Sequence, residues 1–181
     1  GRTAGNALEV QEAIDVLAGG GPADVIELTL TLAREMIDAS GATPTQEPAE
    51  ALSNGSAMDV WRKMIAAQGA DPDAALPRAK HSHDVVAQRD GVISTLDALS
   101  VGVASWRLGA GRARKEDSVQ AGAGIQWFAG HGEKVSKGQK LFTLYTDDES
   151  RFETALDSLN AGFTIADSAQ ERLPLVIDRI S

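Results

Sequence analysis

Residues 140–146 read KLFTLYT, an apolar and β-prone run with the length of a typical strand. A second such run, IQWF at 125–128, precedes it. The glycines in GHG at 130–132 and in KG at 137–138 are typical of turns and would join the two strands. These four segments predict a unit of mixed α+β structure in the second half of the chain.

Further elements surround this pair of strands. The runs VVA at 85–87 and VIST at 92–95 flank RDG at 89–91, and Asp-Gly fits the twist of paired strands, so the sequence predicts a hairpin. Apolar residues at helical spacing predict helices over 98–106 and 149–160. Two more strands are predicted at 163–165 and 175–177.

In the first 70 residues, the apolar residues instead recur at helical spacing. Asn6 is predicted to cap a first helix, with Glu9 placed as in a capping box, and GGG at 19–21 ends it. Further helices are predicted over 24–40, 49–52 and 57–68. The helix over 24–40 carries an apolar stripe of Val25, Leu28, Leu32 and Met36, and without upstream strands to pack on we expect the apolar faces of these helices to be partly exposed. For the last of these, the expected buried residues are Val60, Trp61, Met64 and Ile65.

The domain organisation follows from this change of pattern. We predict an α+β fold with a helical part at 1–70, a linker at 71–80 and a mixed α+β domain at 81–181, whose strands resemble a β-sandwich or barrel. The chain opens with GRTAG rather than Met and enters a helix almost at once, so we expect it to start within a longer protein.

Composition excludes several classes of function. The 181 residues carry a net charge of -9, which disfavours nucleic acid and anionic membrane surfaces as partners. There is no cysteine, so disulfides and thiolate metal sites are excluded, and a cytoplasmic protein is expected. No apolar stretch has the length of a membrane span.

A glycine-rich segment is the first candidate for chemistry. Gly109, Gly111 and Arg112 lie close to Arg114 and Lys115, and glycines let backbone N–H groups approach an anion. The alternative, which we prefer, is a tight turn with solvated arginines. The glycine pattern of dinucleotide-binding proteins is absent.

A pair of histidines is the second candidate. His81 and His83 alternate on a predicted strand, so both would lie on one face and could bind a metal. No third ligand stands at a useful spacing, and His131 is far along the chain. A solvated start of the strand is the better interpretation.

The third candidate is the segment 130–141, GHGEKVSKGQKL. Its glycine, valine and leucine spacing is similar to a corner of lipoyl and biotinyl carrier domains. Carriers present a modified lysine on another hairpin, and the RDG turn at 89–91 has none. We therefore interpret the similarity as structural, and keep a carrier-like or interaction module without catalysis as an alternative function.

Several strings together resemble the thymidine and pyrimidine-nucleoside phosphorylases. These are GRTAGNALEVQEA at 1–13, GPAD at 21–24, LTL at 30–32, QGAD at 68–71, LGAGRARKE at 108–116 and the stretch 122–144. They occur in the family's order and cover almost the whole chain. The chain thus resembles the C-terminal part of such an enzyme.

The resemblance implies a pentosyltransferase that exchanges phosphate for the base of a pyrimidine nucleoside. The enzymes of this family are homodimers that need phosphate as co-substrate and no other required cofactor. Their phosphate-binding and base-binding residues precede the matched segment, so we assign no catalytic or substrate-binding residue here and expect the chain alone to be inactive. A relative that acts on nucleoside monophosphates is a further alternative.

One site of the family extends into this chain. Members hold a potassium ion, and the resemblance places two of its ligands at the backbone carbonyl of Thr3 and the carboxylate of Glu12. Oxygen ligands suit a hard cation. The alternative for Glu12 is a solvated carboxylate on a helix.

Overall fold

The computed structural model describes residues 1–112 and 114–180, so Ala113 and Ser181 of the predicted segments lie outside the described residues. The chain divides into two compact units. One contains Gly1, Gln11–Ala75 and the residues from Pro174 onward, and the other contains Arg2–Val10 and Leu76–Leu173. Helices and antiparallel strands occur together, which confirms the α+β fold class.

The first unit is helical. Its elements are α1 (Asn6–Leu17), which begins in the second unit, α2 (Ala23–Ser40), α3 (Pro48–Ser53) and α4 (Ser56–Ala67). All four were predicted, with bounds that differ by one or two residues. Gly41 ends α2 with a φ of 64°, the left-handed conformation that glycine adopts at helix ends.

The start of α1 corrects one detail of the sequence prediction. The helix begins at Asn6, and the carbonyl of Gly5 accepts the first helical bond from Glu9 N at 2.9 Å, so Gly5 is the capping residue. Glu9 Oε1 reaches back to accept a bond from Gly5 N at 2.8 Å. The Asn6 side chain instead donates to the carbonyl of Ala110 at 2.9 Å.

The apolar faces of two helices are largely exposed, including Val60 and Met64 of α4, which were expected to be buried. Leu32 and Met36 of α2 are 52% and 72% exposed, and Val60 and Met64 of α4 are 64% and 48% exposed. None of the residues in α2 or α4 is fully buried. The helical spacing of apolar residues correctly predicted α2 and α4, but no neighbour within the first unit covers their apolar stripes.

The second unit contains two open antiparallel sheets. Its strands are β1 (Thr3–Ala4), β2 (His81–Val86), β3 (Gly91–Leu96), β4 (Gly124–Trp127), β5 (Lys134–Val135), β6 (Lys140–Thr146) and β7 (Phe163–Ala166). Strand order is β1-β4-β6-β2 in one sheet and β5-β3-β7 in the other. Neither sheet closes, so the barrel-like form of the prediction is wrong.

The predicted hairpin around 89–91 is also wrong. β2 pairs with β6 and β3 pairs with β5 and β7, so the two flanking strands belong to different sheets. Asp90 Oδ1 instead accepts a bond from Lys137 N at 2.7 Å. Long-range pairing therefore overrides the local turn signal.

Two helices complete the second unit. α5 (Ala98–Ser105) is capped by Asp97, whose carboxylate accepts a bond from Ser100 N at 2.7 Å. The predicted helix over 149–160 forms as a short 3₁₀ turn, Glu149–Arg151, followed by α6 (Phe152–Gly162). The strand predicted at 175–177 is wrong, because those residues have no regular structure.

The core of the second unit is built around β6. Leu141, Phe142 and Leu144 have no exposed surface, and together they face both sides of the strand. Ile93 of β3, Leu108 and Leu159 of α6 are equally buried in the same cluster. A strand covered on both faces explains why residues 140–146 form an almost continuous apolar run rather than an alternating one.

An ion pair joins β2 and β6 at the surface. Asp84 lies opposite Thr143, whose hydroxyl donates to Asp84 Oδ1 at 2.6 Å, and Lys140 Nζ is 2.8 Å from Asp84 Oδ2. The bonds from Lys140 and Thr143 lower the pKa of the Asp84 carboxyl from its usual value. Both charged side chains are about half exposed, so solvent screens the pair and its contribution to stability is small.

Two glycines allow β1 to join its sheet. A Cβ atom added at Gly124 would lie 2.4 Å from the Ala4 carbonyl oxygen, and one added at Gly5 would lie 2.4 Å from the Ala123 carbonyl oxygen. Both have positive φ, 154° and 148°. The pairing of β1 with β4 explains why residues 2–10 group with the second unit rather than with the helices that follow them.

Gly124→Ala is expected to destabilise the second unit more than Gly132→Ala. Both glycines have positive φ, which costs a non-glycine residue about 1–3 kcal/mol. Only the Cβ at Gly124 would meet backbone, because nothing lies within 4 Å of one at Gly132. We expect the free energy of unfolding, measured in urea, to fall by about 1–3 kcal/mol more in Gly124→Ala than in Gly132→Ala. Equal losses would show that β1 does not need this close approach.

Candidate functional site

The glycine-rich segment follows α5 without a break. A segment of π type runs from Trp106 to Ala110 with a kink at Gly109, whose φ is 108°. A Cβ atom added at Gly109 would lie 2.8 Å from Cδ of Gln120, and one added at Gly111 would lie 2.7 Å from Cδ1 of Trp106. Both glycines are therefore required for close packing against a side chain.

Gln120 joins this segment to the residue that follows β6. Its backbone N–H donates to the Gly109 carbonyl at 2.9 Å, and its side-chain Oε1 accepts a bond from Asp147 N at 2.7 Å. Thr146 at the end of β6 is fully buried, and its hydroxyl donates to the Leu108 carbonyl at 2.7 Å with Gln120 Oε1 3.1 Å away. We call Gln120, Thr146 and the two carbonyls the Gln120 clasp.

The sequence analysis missed the Gln120 clasp. Glutamine and threonine are ordinary surface residues, and nothing in their spacing along the chain indicates that they meet. The one available signal was Thr146 at the end of an otherwise apolar strand, because a buried hydroxyl requires a partner. The clasp fixes the glycine-rich segment to the core, as expected for a structural loop.

The two histidines of β2 have separate partners. His81 Nδ1 is 3.0 Å from Glu149 Oε1, and the His83 ring packs on Phe152 with 5.5 Å between ring centroids. Among residues 1–112 and 114–180, no group of three or more His, Asp or Glu side chains could hold a metal ion. His131 is bonded to the Gln170 carbonyl at 2.8 Å.

The carrier-like corner lies in the second unit. Val135 and Leu141 are buried, and the N–H groups of Gly132 and Gly138 donate to the carbonyls of Ile93 and Ala87, both at 2.8 Å. At the opposite turn, Arg89 forms an ion pair with Asp167. Residues 89–91 contain no lysine that could carry a lipoyl or biotinyl group.

The predicted cation ligands fall in the two different units. Thr3 lies in the edge strand β1, where Arg2 O accepts a bond from Trp127 N at 2.9 Å. Because antiparallel pairing alternates, the carbonyl of Thr3 points away from β4, as a cation ligand requires. The hydroxyl of Thr3 is buried without a hydrogen-bond partner among the described residues.

Glu12 is the second predicted ligand. It is half-buried on α1, in the first unit, and a Cβ atom added at Gly1 would lie 2.6 Å from its Oε2. The carboxylate therefore lies against the first residue of the chain. Both groups are oxygen donors suited to potassium, and their assignment as ligands stays a prediction.

The comparisons with known proteins identify the second unit. The pyrimidine nucleoside phosphorylase C-terminal domain matches residues 92–166. The match includes the core strands β4 and β6 and the carrier-like corner.

Relatives extend the similarity to nearly the whole chain. It is 50% identical over 180 residues to a protein from Mycobacterium tuberculosis named "Thymidine phosphorylase", covering 99% of this chain and 42% of the relative. It is 37% identical over 177 residues to a "Pyrimidine-nucleoside phosphorylase" from Staphylococcus aureus, covering 92% of this chain and 41% of the relative. The resemblance to the C-terminal part of this family is confirmed.

None of the helices in the described part of the chain combines the length and the apolar character needed to cross a membrane.

Thr146→Val should destabilise the protein through the Gln120 clasp. The change removes the hydroxyl and leaves the buried Leu108 carbonyl without its donor, which costs about 1–3 kcal/mol. Thr95→Val is the matched control, because Thr95 is an exposed strand residue. The free energy of unfolding from urea denaturation gives both values. Equal values for the two variants would contradict the role of the clasp.

Proposed function

We propose that this chain is the C-terminal part of a pyrimidine-nucleoside phosphorylase that acts in the cytoplasm as a homodimer. The parent enzyme would convert thymidine or uridine and phosphate to the free base and a pentose 1-phosphate, in either direction. The observation that carries the proposal is the 50% identity to a thymidine phosphorylase over 99% of the chain. Its second support is the domain match over 92–166.

In the proposed reaction, one bond to the sugar forms while another breaks. A phosphate oxygen forms a bond to the anomeric carbon of the sugar while the bond from that carbon to the base nitrogen breaks. The electron pair leaves with the base, which takes up a proton. The transition state has oxocarbenium character, so the enzyme must hold phosphate beside a developing positive charge and stabilise the departing base.

We assign the residues that bind phosphate and base to other parts of the parent enzyme. The chain spans about 42% of the length of the relatives it matches, and the resemblance implies that the family's phosphate and base sites precede it. Its contribution would be the framework of one lobe, which closes over the substrates and excludes water. In the parent, other segments would cover the exposed stripes of α2 and α4.

Potassium is the proposed ion of the parent. The carbonyl of Thr3 and the carboxylate of Glu12 would supply two of its oxygen ligands, as the resemblance implies, and other segments would supply the rest. The ion would bring positive charge close to the bound phosphate. Inorganic phosphate is the proposed co-substrate.

A chimeric enzyme tests the proposed activity. The stretch of the mycobacterial relative that this chain matches is replaced by the 181 residues, and thymine release from thymidine and phosphate is followed by chromatography. We expect phosphate-dependent turnover by the chimera and none by the folded 181-residue chain alone. Turnover by the chain alone would place the active site within these residues. A folded but inactive chimera would contradict the family assignment of function.

Glu12→Gln in the same chimera tests the cation site. Losing the charged ligand should raise the potassium concentration needed for half-maximal activity by about tenfold, which corresponds to about 1.4 kcal/mol. Glu27→Gln, an exposed carboxylate of α2, is the matched control. Activity is measured over a range of potassium chloride at constant ionic strength. An unchanged requirement in Glu12→Gln would remove Glu12 from the ligand set.

A further inference from the structure

A basic cleft lies within the second unit, beside the glycine-rich segment. Its volume is about 520 Å³, within the range of about 300–1,000 Å³ that is usual for small-molecule sites. Its lining includes Arg107, Arg112 and Arg151, the hydroxyl residues Ser118, Ser150 and Thr154, and the indole of Trp106. We call it the arginine cleft. None of the residues assigned above to the cation site takes part in it.

Two of the arginines are held in place by backbone carbonyls. Arg107 Nη1 donates to the Thr154 carbonyl at 2.6 Å, and Arg151 Nη1 donates to the Arg107 carbonyl at 3.3 Å. Each guanidinium has five N–H donors, so these bonds leave several donors for a ligand. The two cations are thereby fixed before any ligand binds, which reduces the entropy cost of binding.

The third arginine is on the glycine-rich segment. Arg112 is exposed, and Nη1 makes a single long bond of 3.4 Å to the Lys115 carbonyl. Within residues 1–112 and 114–180, neither Arg107 nor Arg112 has a carboxylate within 4.0 Å.

Two carboxylates lie near the cleft without neutralising it. Asp117 lines the cleft, and its Oδ2 accepts a bond from Arg114 N at 2.8 Å, within its own loop. Asp148 Oδ2 is 3.6 Å from Arg151 Nε, but both side chains are about half exposed and the pair is weak. Three arginines against one lining carboxylate favour an anionic ligand.

Trp106 gives the cleft an apolar wall. Its indole is 43% exposed although it is a large aromatic side chain, and Gly111 packs against its ring edge, where any larger residue would collide. An exposed, rigid aromatic surface beside fixed cations suits a ligand with an organic group attached to its charge. The planar guanidinium of arginine can donate two parallel hydrogen bonds to the oxygens of a phosphate group.

We propose that the arginine cleft binds a phosphate monoester, with the phosphate on Arg107, Arg112 and Arg151 and the organic group against Trp106. This binding goes beyond the proposed phosphorolysis. The cleft lies within the second unit, and binding of a ligand to it can be measured without turnover. Ser150 and Thr154 line the cleft, but their hydroxyls already donate to Asp148 Oδ1 at 2.7 Å and to the Arg151 carbonyl at 3.3 Å.

The test is calorimetric titration of the purified 181-residue chain with phenyl phosphate, inorganic phosphate and phenol. Arg112→Gln should raise the Kd for phenyl phosphate by about tenfold or more, since it loses a charge-assisted bond. Arg114→Gln removes the same charge from the same loop but does not line the cleft, so its Kd should stay within about twofold. Equal effects of the two variants, or no binding of phenyl phosphate, would overturn the proposal.

The role of Trp106 is tested separately. The chain has three tryptophans, and phenyl phosphate should quench fluorescence in the wild type but not in Trp106→Phe. If inorganic phosphate binds as tightly as phenyl phosphate, the organic group does not contribute to binding. If phenol binds as tightly, the phosphate group does not contribute. Arg151→Gln, on another element, provides a second variant should Arg112→Gln fail to fold.

Discussion

The double-sided burial of β6 is the constraint on which the second unit depends. Leu141, Phe142 and Leu144 are inaccessible to solvent, and the strand pairs with β4 on one side and β2 on the other. Any shift in its register by one residue would exchange its two faces and misplace Thr146. Because Thr146 contacts both Leu108 and Gln120, the register of one strand determines where the glycine-rich segment lies. The position of the arginine cleft follows from the same contact.

Regular elements with a strong periodic pattern could be predicted from the sequence. The run at 140–146 forms a strand with the predicted bounds, and the four helices of the first 70 residues are present. Their propensity and spacing are local properties, so residues close in the chain are sufficient to determine them. The α+β class followed from these elements, and the family followed from strings of residues that no physical argument would have connected.

Strand pairing and burial could not be predicted in the same way. The turn at 89–91 has the residues of a hairpin, yet the strands beside it join different sheets, because β2 pairs with β6 and β3 pairs with β5 and β7. The exposed faces of α2 and α4 have the same cause, since a period of 3.6 indicates an apolar face but not the surface that covers it. The contacts of Gln120 and Arg151 could not be predicted from the sequence, because their bonding partners are 11 and 44 positions away in the chain.

The exposed stripes have a chemical consequence as well as a packing one. Two of the three methionines of the chain, Met36 and Met64, have solvent access to 72% and 48% of their surface. A thioether in contact with water is open to peroxide, and its sulfoxide is polar where the unmodified side chain is apolar. Oxidation would therefore convert both stripes to surfaces that resist apolar packing. The rate at which these two sulfurs oxidise thus reports directly on whether another surface covers α2 and α4.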